Sequence, residues 1–243
     1  MEDRNMTFNL QSSIFYPHSS VLPNLHKEIA LLQQGYRFIA GLDEAGRGAW
    51  AGPVVAAAVI LPLQQPDLAE TLAGLDDSKK LNPREREQFF GLIHEVALAV
   101  AAGLAPAALV DEINVVGATR YAMQQALVQL PFAPDYLLLD HLRLPAVNLP
   151  QDAFPKADAI SLTVAAASVV AKVTRDRLMV QFSQEYPGYS FERHKGYGTQ
   201  THRDALVKHG PCFLHRMSYE PVMSAIPQAA VPMFLSHTLL DSQ

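Results

Sequence analysis

Cysteine is almost absent from this 243-residue chain, where Cys212 stands alone. No intrachain disulfide can form and no cysteine-based zinc site is available, so a reducing cytoplasm is the expected setting. An excess of positive charge is also missing. The formal net charge is −5 and the isoelectric point is near 6.0, which argues against indiscriminate binding of nucleic acid but leaves room for a local basic groove. Long apolar runs are lacking too: the longest, residues 96 to 110, is interrupted by Gly103 and Pro106 and falls short of the roughly 20 residues of a membrane span. The amino terminus, MEDRNMTFNL, is acidic and polar, where a signal peptide is basic and then apolar. No internal repeat is found. These absences leave a soluble cytoplasmic protein as the expectation.

What is present is a globular composition, 49% hydrophobic and 18% charged, with enough length for a sizeable core. Residues 37 to 61, RFIAGLDEAGRGAWAGPVVAAAVIL, carry the densest chemistry. An apolar strand is expected over residues 37 to 42. It delivers Asp43 and Glu44, then a Gly46-Arg47-Gly48 turn, then a second strand over residues 54 to 61 that is apolar on both faces. Neighbouring strand residues point to opposite faces, so the two acids are expected to converge because the strand ends there. Glycine allows positive φ and close approach of the backbone to a ligand. Carboxylates beside free amides suit a metal ion holding a phosphate.

The remaining elements alternate. Residues 25 to 34 read as a helix stopped by Gly35. Asn82, Pro83 and Glu85 mark a helix start, a third strand is expected over residues 95 to 104, and two helices follow at 106 to 113 and 115 to 130. Residues 135 to 140, DYLLLD, form a buried strand ending in Asp140. Residues 142 to 155 read mostly as loop. Asp158 precedes a helix that is small and apolar from 162 to 171, where a plain helix cap is the competing role. Between 191 and 216, five basic side chains stand against two acidic ones, interleaved with aromatics that can stack on sugars or bases. The histidines there, at 194, 202, 209 and 215, look too widely spaced and unpartnered for zinc. Strands alternating with helices imply an α/β sheet with ligands beyond the strand ends. Acids from several strands without His or Cys partners suit hard divalent cations.

These stretches together resemble ribonuclease HII, the bacterial type 2 ribonuclease H. The matching motifs are GLDEAGRGAWAGPVVAAAVIL, DDSKKLNP, INVVGATRYAM, YLLLD, KADAISLTVAAASVVAKVTRDRLM, HKGYGT and SYEPV, in family order from 41 to 222. The resemblance implies an α/β ribonuclease H-like fold: a five-stranded mixed sheet flanked by helices, with a helical C-terminal segment at about 186 to 222. The catalytic domain would span 24 to 222, between a loose arm (1 to 23) and a flexible tail (223 to 243).

By the same resemblance, Asp43, Glu44, Asp140 and Asp158 are the catalytic and metal-binding acids. Two Mg²⁺ or Mn²⁺ ions would support cleavage of RNA in RNA–DNA hybrids and incision 5′ to a single ribonucleotide in duplex DNA. Products would carry 3′-hydroxyl and 5′-phosphate ends. Gly46, Arg47 and Gly48 would read the 2′-hydroxyl, and Tyr197 would pack on the adjoining deoxyribose. Ser78, Lys79, Lys80, Lys172, Arg175, His194 and Lys195 are candidate phosphate contacts. The chain departs from the family pattern at His141, at Ala157 and at Phe154-Pro155. A non-catalytic hybrid binder and a DNA-junction nuclease are the alternatives. Gln228, Val231, Met233, Phe234 and Leu235 resemble a sliding-clamp-binding peptide, and a monomer is expected.

Overall fold

The computed structural model describes residues 22 to 225. Residues 1 to 21 and 226 to 243 lie outside it, and with them most of the expected arm and tail, the clamp-like peptide included. In chain order the elements are α1 (His26–Gln33), β1 (Ile39–Ala45), β2 (Val54–Ile60), α2 (Leu68–Thr71), α3 (Pro83–Val96), β3 (Ala99–Ala105), α4 (Ala107–Val128), β4 (Tyr136–Asp140), β5 (Gln151–Phe154), α5 (Leu162–Glu185), α6 (Phe191–His194), α7 (Gln200–His209) and α8 (Glu220–Met223). Among the described residues no helix is long and apolar enough to cross a membrane.

The five strands form one mixed sheet in the order β3-β2-β1-β4-β5. The first three pair antiparallel, and β4 and β5 run parallel to β1. Every residue of β2 is buried, because the sheet is covered on both faces. Ala56, Ala58 and Ile60 pack with Ala118, Ala122 and Ala126 of α4. Ala57 and Val59 pack with Ala165, Ala166 and Val169 of α5. Small side chains let these helices approach closely. A Cβ on Gly41 would come within 2.5 Å of the Thr163 backbone, and one on Gly103 within 2.2 Å of the Ala122 carbonyl.

Local chemistry sets several boundaries. Asn82 accepts the Arg84 and Glu85 amides while Glu85 accepts the Asn82 amide, a reciprocal capping box. Asn114, at φ 59°, breaks α4 into the two expected helices and caps the second through the Val116 and Gly117 amides. Two expectations are corrected. Glu95 and Val96 continue α3, so β3 begins only at Ala99. The stretch expected as loop contains β5, which pairs with β4 from Leu137↔Gln151 to Asp140↔Phe154. Pro155 falls one residue beyond that edge strand, where its missing N–H is harmless.

The α1 segment fastens the start of α5. Asn24 pairs with Ile160 and Leu162 through the backbone. The fully buried Glu28 accepts the Ser161 hydroxyl at 2.5 Å and the Thr163 amide at 3.0 Å. Removing that acceptor strands buried donors, which costs about 1–3 kcal/mol. Glu28→Ala is therefore expected to lower stability by about that amount in chemical denaturation, with Glu28→Gln recovering most of it.

Candidate active site

The acids meet because β4 is shorter than its neighbour. Pairing of β1 with β4 ends at Leu42↔Leu139, whereas pairing of β1 with β2 continues to Ala45. This corrects the expectation that β1 itself ends at the acids. It runs on past them, and the notch left by β4 lets side chains from both faces reach one cavity. Asp43, Glu44 and Asp140 line that cavity of about 550 Å³ with Gly46, Arg47, Gly48, Ser78, Lys79, Lys172 and Tyr197.

Asp43 is 4% exposed. Burial, then Glu44 and Asp140, hold its carboxyl well above the usual range, against a hydrogen bond from Ser168. Glu44 is also raised, chiefly by burial, although Arg47 bonds its Oε1 at 2.9 Å. The other oxygen, Oε2, is buried without a partner among the described residues. Asp140 Oδ1 accepts the Ala157 amide at 2.8 Å, which ties the tip of β4 to the segment carrying Asp158.

Asp158 lies in a 3₁₀ turn, Ala157–Ala159, and is 5% exposed. The cap of α5 is Ser161, which accepts the Val164 amide, so the plain-cap role for Asp158 is set aside. Burial, Asp77 and Asp140 push Asp158 up to about 6. Asp77 is an acid of the site that the sequence pattern did not single out. Lys79 Nζ stands 3.9 Å from Asp158 and 3.8 Å from Asp77. Burial alone would lower that amine, but Asp77, Asp43, Asp158 and Asp140 outweigh it.

Among the described residues no three Asp, Glu, His or Cys side chains are yet gathered to hold an ion. The donor set nevertheless fits a hard divalent cation. It consists of oxygens only, three of its acids, Asp43, Glu44 and Asp158, are raised by neighbouring carboxylates as well as burial, and Glu44 keeps one buried oxygen without a partner among the described residues. A cation would relieve all three.

The loop of residues 46 to 53 is held from behind by two buried arginines. Arg216 donates to the carbonyls of Gly46, Arg47 and Gly52 and to the Tyr219 hydroxyl. Arg175 donates to the carbonyls of Ala51, Pro53 and Lys195. Arg175 is fully buried, which overturns its assignment as a phosphate contact. Gly46 has φ 93°, and a Cβ there would sit 2.0 Å from Arg175 Nε, whereas one on Gly48 would meet nothing within 4 Å. Gly46 answers to the protein; Gly48 leaves open space in front of the loop for a ligand.

Other candidates divide. Lys172 faces the cavity, with Nζ bonded to Asp176 at 2.7 Å and 5.6 Å from the Tyr197 ring centroid. Ser78 is buried, with its hydroxyl oxygen 2.9 Å from that of Ser168. Lys80 turns to Asp76 at 2.9 Å and does not line the cavity. Lys195 donates to the Glu192 carbonyl. His141 is exposed, adopts φ 57°, and does not line the acid cavity. Glycine would adopt this left-handed backbone more readily than the histidine present.

His194 is not a phosphate contact either. Its Nε2 meets the Tyr189 carbonyl and its Nδ1 accepts the Gly196 amide. The expectation that the histidines lack partners is also corrected: the rings of His194 and His202 stack at 4.4 Å, and His202 Nε2 lies 3.0 Å from His215 Nε2. The bonds fix the tautomers. The Cys212 amide donates to His215 Nδ1, so His215 Nε2–H donates to His202 Nε2, and His202 Nδ1–H donates to the Tyr197 carbonyl. This neutral chain ends on the residue expected at the substrate junction.

A mixed five-stranded sheet with acids at neighbouring strand ends defines a ribonuclease H-like protein. The sequence model of the family described as Ribonuclease HII matches residues 40–222. Ribonuclease HII of Chloroflexus aurantiacus is 50% identical over 209 residues, which are 85% of this chain and 97% of that protein. The ribonuclease H2 structure from Pyrococcus horikoshii aligns with TM-score 0.65 at 25% identity, covering 77% of this chain and 96% of that one. The PCNA:RNase HII complex from Archaeoglobus fulgidus aligns with TM-score 0.63 at 25% identity, covering 75% and 95%. The chain belongs to the ribonuclease HII family and is a nuclease of the ribonuclease H class.

Two outcomes follow from these charges. Asp43→Asn removes a buried, repelled carboxylate but keeps an acceptor for the Glu44 amide, so it is expected to raise the thermal midpoint of the metal-free protein. Burial, the first cause for both, depresses His202 and His215 from 6.5 to about 4. The unfolded chain then binds protons that the folded one refuses, so stability falls as pH drops from 6.5 towards 4 and levels off below. Thermal midpoints across that window should fall less steeply in a His202→Phe/His215→Phe variant.

Proposed function

We propose that the protein hydrolyses the RNA strand of RNA–DNA hybrids and incises 5′ to single ribonucleotides embedded in duplex DNA, leaving 3′-hydroxyl and 5′-phosphate ends. The observation that carries this reading is one cavity lined both by the acids Asp43, Glu44 and Asp140 and by the Gly46-Arg47-Gly48 backbone with Tyr197. The 2′-hydroxyl is what separates RNA from DNA. A backbone held rigidly by two arginines is a suitable sensor for it, because little of it must reorder on binding.

Asp43, Glu44, Asp140 and Asp158 would hold two divalent ions, Mg²⁺ or Mn²⁺. The chemistry such ions supply is activation of a water and neutralisation of the leaving oxygen. The protein's own part is positioning. Gly48 leaves space for the ribose, Arg47 stays paired with Glu44 until substrate enters, and Lys79 and Lys172 face the phosphates from opposite elements. Tyr197, fixed by the histidine chain at its carbonyl, presents its ring to the next sugar.

The biological roles proposed are ribonucleotide removal and RNA primer removal, in the cytoplasm and as a monomer. A sliding clamp is the proposed protein partner. It is supported by the Archaeoglobus fulgidus relative solved with PCNA and by the clamp-like residues 228 to 235, which lie outside the described ones.

Incision of a labelled duplex with one ribonucleotide, with Mg²⁺ and Mn²⁺ compared, tests the reading. Wild type should cut 5′ to the ribonucleotide, and Asp43→Asn should lose at least about 10³-fold, in the range for loss of a central electrostatic group. Tyr197→Ala should reduce junction cutting more than cutting of continuous hybrid. Binding without incision would leave a hybrid binder, and cutting of all-DNA duplexes would leave a DNA-junction nuclease.

A further inference from the structure

A second cavity, larger than the acidic one, lies beside it. It holds about 670 Å³ between α3, α5 and the turn after α6, and it shares Lys172 and Tyr197 with the acid cavity. The two are therefore adjacent stations of one surface, with Lys172 and Tyr197 at their boundary. Five cations line the outer station: Arg86, Lys172, Arg177, Arg193 and Lys195. Its only acids among the described residues, Glu87 and Asp176, are each already paired, with Arg177 at 2.5 Å and Lys172 at 2.7 Å.

The cations are not equivalent. Arg86 is spent on the carbonyls of Ser78 and Leu81. Arg177 also lies over the Phe90 ring at 4.3 Å. Arg193 is exposed, and its guanidinium makes no hydrogen bond or ion pair among the described residues. It sits on α6, whose last residue, His194, is locked at both ring nitrogens. A free guanidinium on a rigid turn, in a cleft with surplus positive charge, is suited to a phosphodiester.

We propose that this cleft is a second nucleic-acid subsite, anchored by Arg193, that holds backbone phosphates of the cleaved strand 3′ of the ribonucleotide. The direction follows from the order of stations. The acids face the phosphate 5′ to the ribonucleotide, the Gly46-Arg47-Gly48 loop its 2′-hydroxyl, and Tyr197 the next sugar, so the cleft beyond Tyr197 lies on the 3′ side. The inference rests on the proposed incision at a ribonucleotide.

The test is equilibrium binding by fluorescence anisotropy in a metal chelator. Three duplexes each carry one ribonucleotide: one long on both flanks, one ending just past the junction on the 3′ side, and one trimmed on the 5′ side. Arg193→Gln should weaken binding of the two duplexes with a long 3′ flank about tenfold and flatten the salt slope by about 1. It should leave the 3′-trimmed duplex bound as in wild type, and Arg193→Lys should restore the slope. Equal weakening on all three duplexes, a loss that tracks the 5′ flank, or an unchanged salt slope would overturn the subsite. Failure of wild type to incise at the ribonucleotide would instead overturn the reading on which it rests.

Discussion

Two guanidinium groups with no carboxylate partner among the described residues hold the site together. Arg175 and Arg216 are both fully buried, and each is satisfied almost entirely by main-chain carbonyls of residues 46 to 53 and their neighbours. Isolated buried charges are costly. Here the cost is offset because a loop rich in glycine turns several carbonyls inward that no strand or helix could pair. Burial lowers Arg175 to about 10, which still leaves it charged at neutral pH. Each arginine satisfies the loop, and the loop satisfies each arginine.

This mutual requirement joins parts of the chain far apart in sequence. Arg175 comes from the middle of α5, and Arg216 from the segment after α7 that also bridges to Ala51. The C-terminal helical segment is thereby part of the frame of the acid cavity. Tyr197 is set by the same frame, since Arg175 bonds the Lys195 carbonyl and its guanidinium carbon lies 5.2 Å from the Tyr197 ring centroid. Behind it, three neutral histidines occupy a space where the tautomers are dictated by backbone groups at each end.

The acid cavity is held in an unfavourable state by a very stable surround. Asp43 and Glu44 in it, and Asp158 beside it, are raised by burial and by neighbouring carboxylates, whereas the sheet beneath them is packed by alanine and glycine against two helices with little room to relax. Such strain at a site is retained when the surrounding packing over-determines it. The same rigidity makes Gly46 and Gly48 different in kind, one required by Arg175 and the other by whatever enters from solvent.

Much was legible in the sequence because it was local. An apolar strand carrying Asp43-Glu44, another ending in Asp140, the Asn82 cap and the helix break at Asn114 are written in short windows, and the family motifs span the whole frame. Other features depended on distances that no window contains. Arg175 and His194 read as exposed bases by charge, yet burial and backbone partners make them structural. β5 was hidden because half-buried edge residues Gln151 and Asp152 carry no apolar run. Asp77 joined the site only when the loop before α3 folded over Asp158. The sequence by itself determined which functional groups the site has to work with, carboxylates, glycine backbone and a phenol ring, because residue type alone fixes those. Only the tertiary structure decided which charges face water and which face carbonyls, because burial and hydrogen-bond partners, not residue type, set what a charged side chain does.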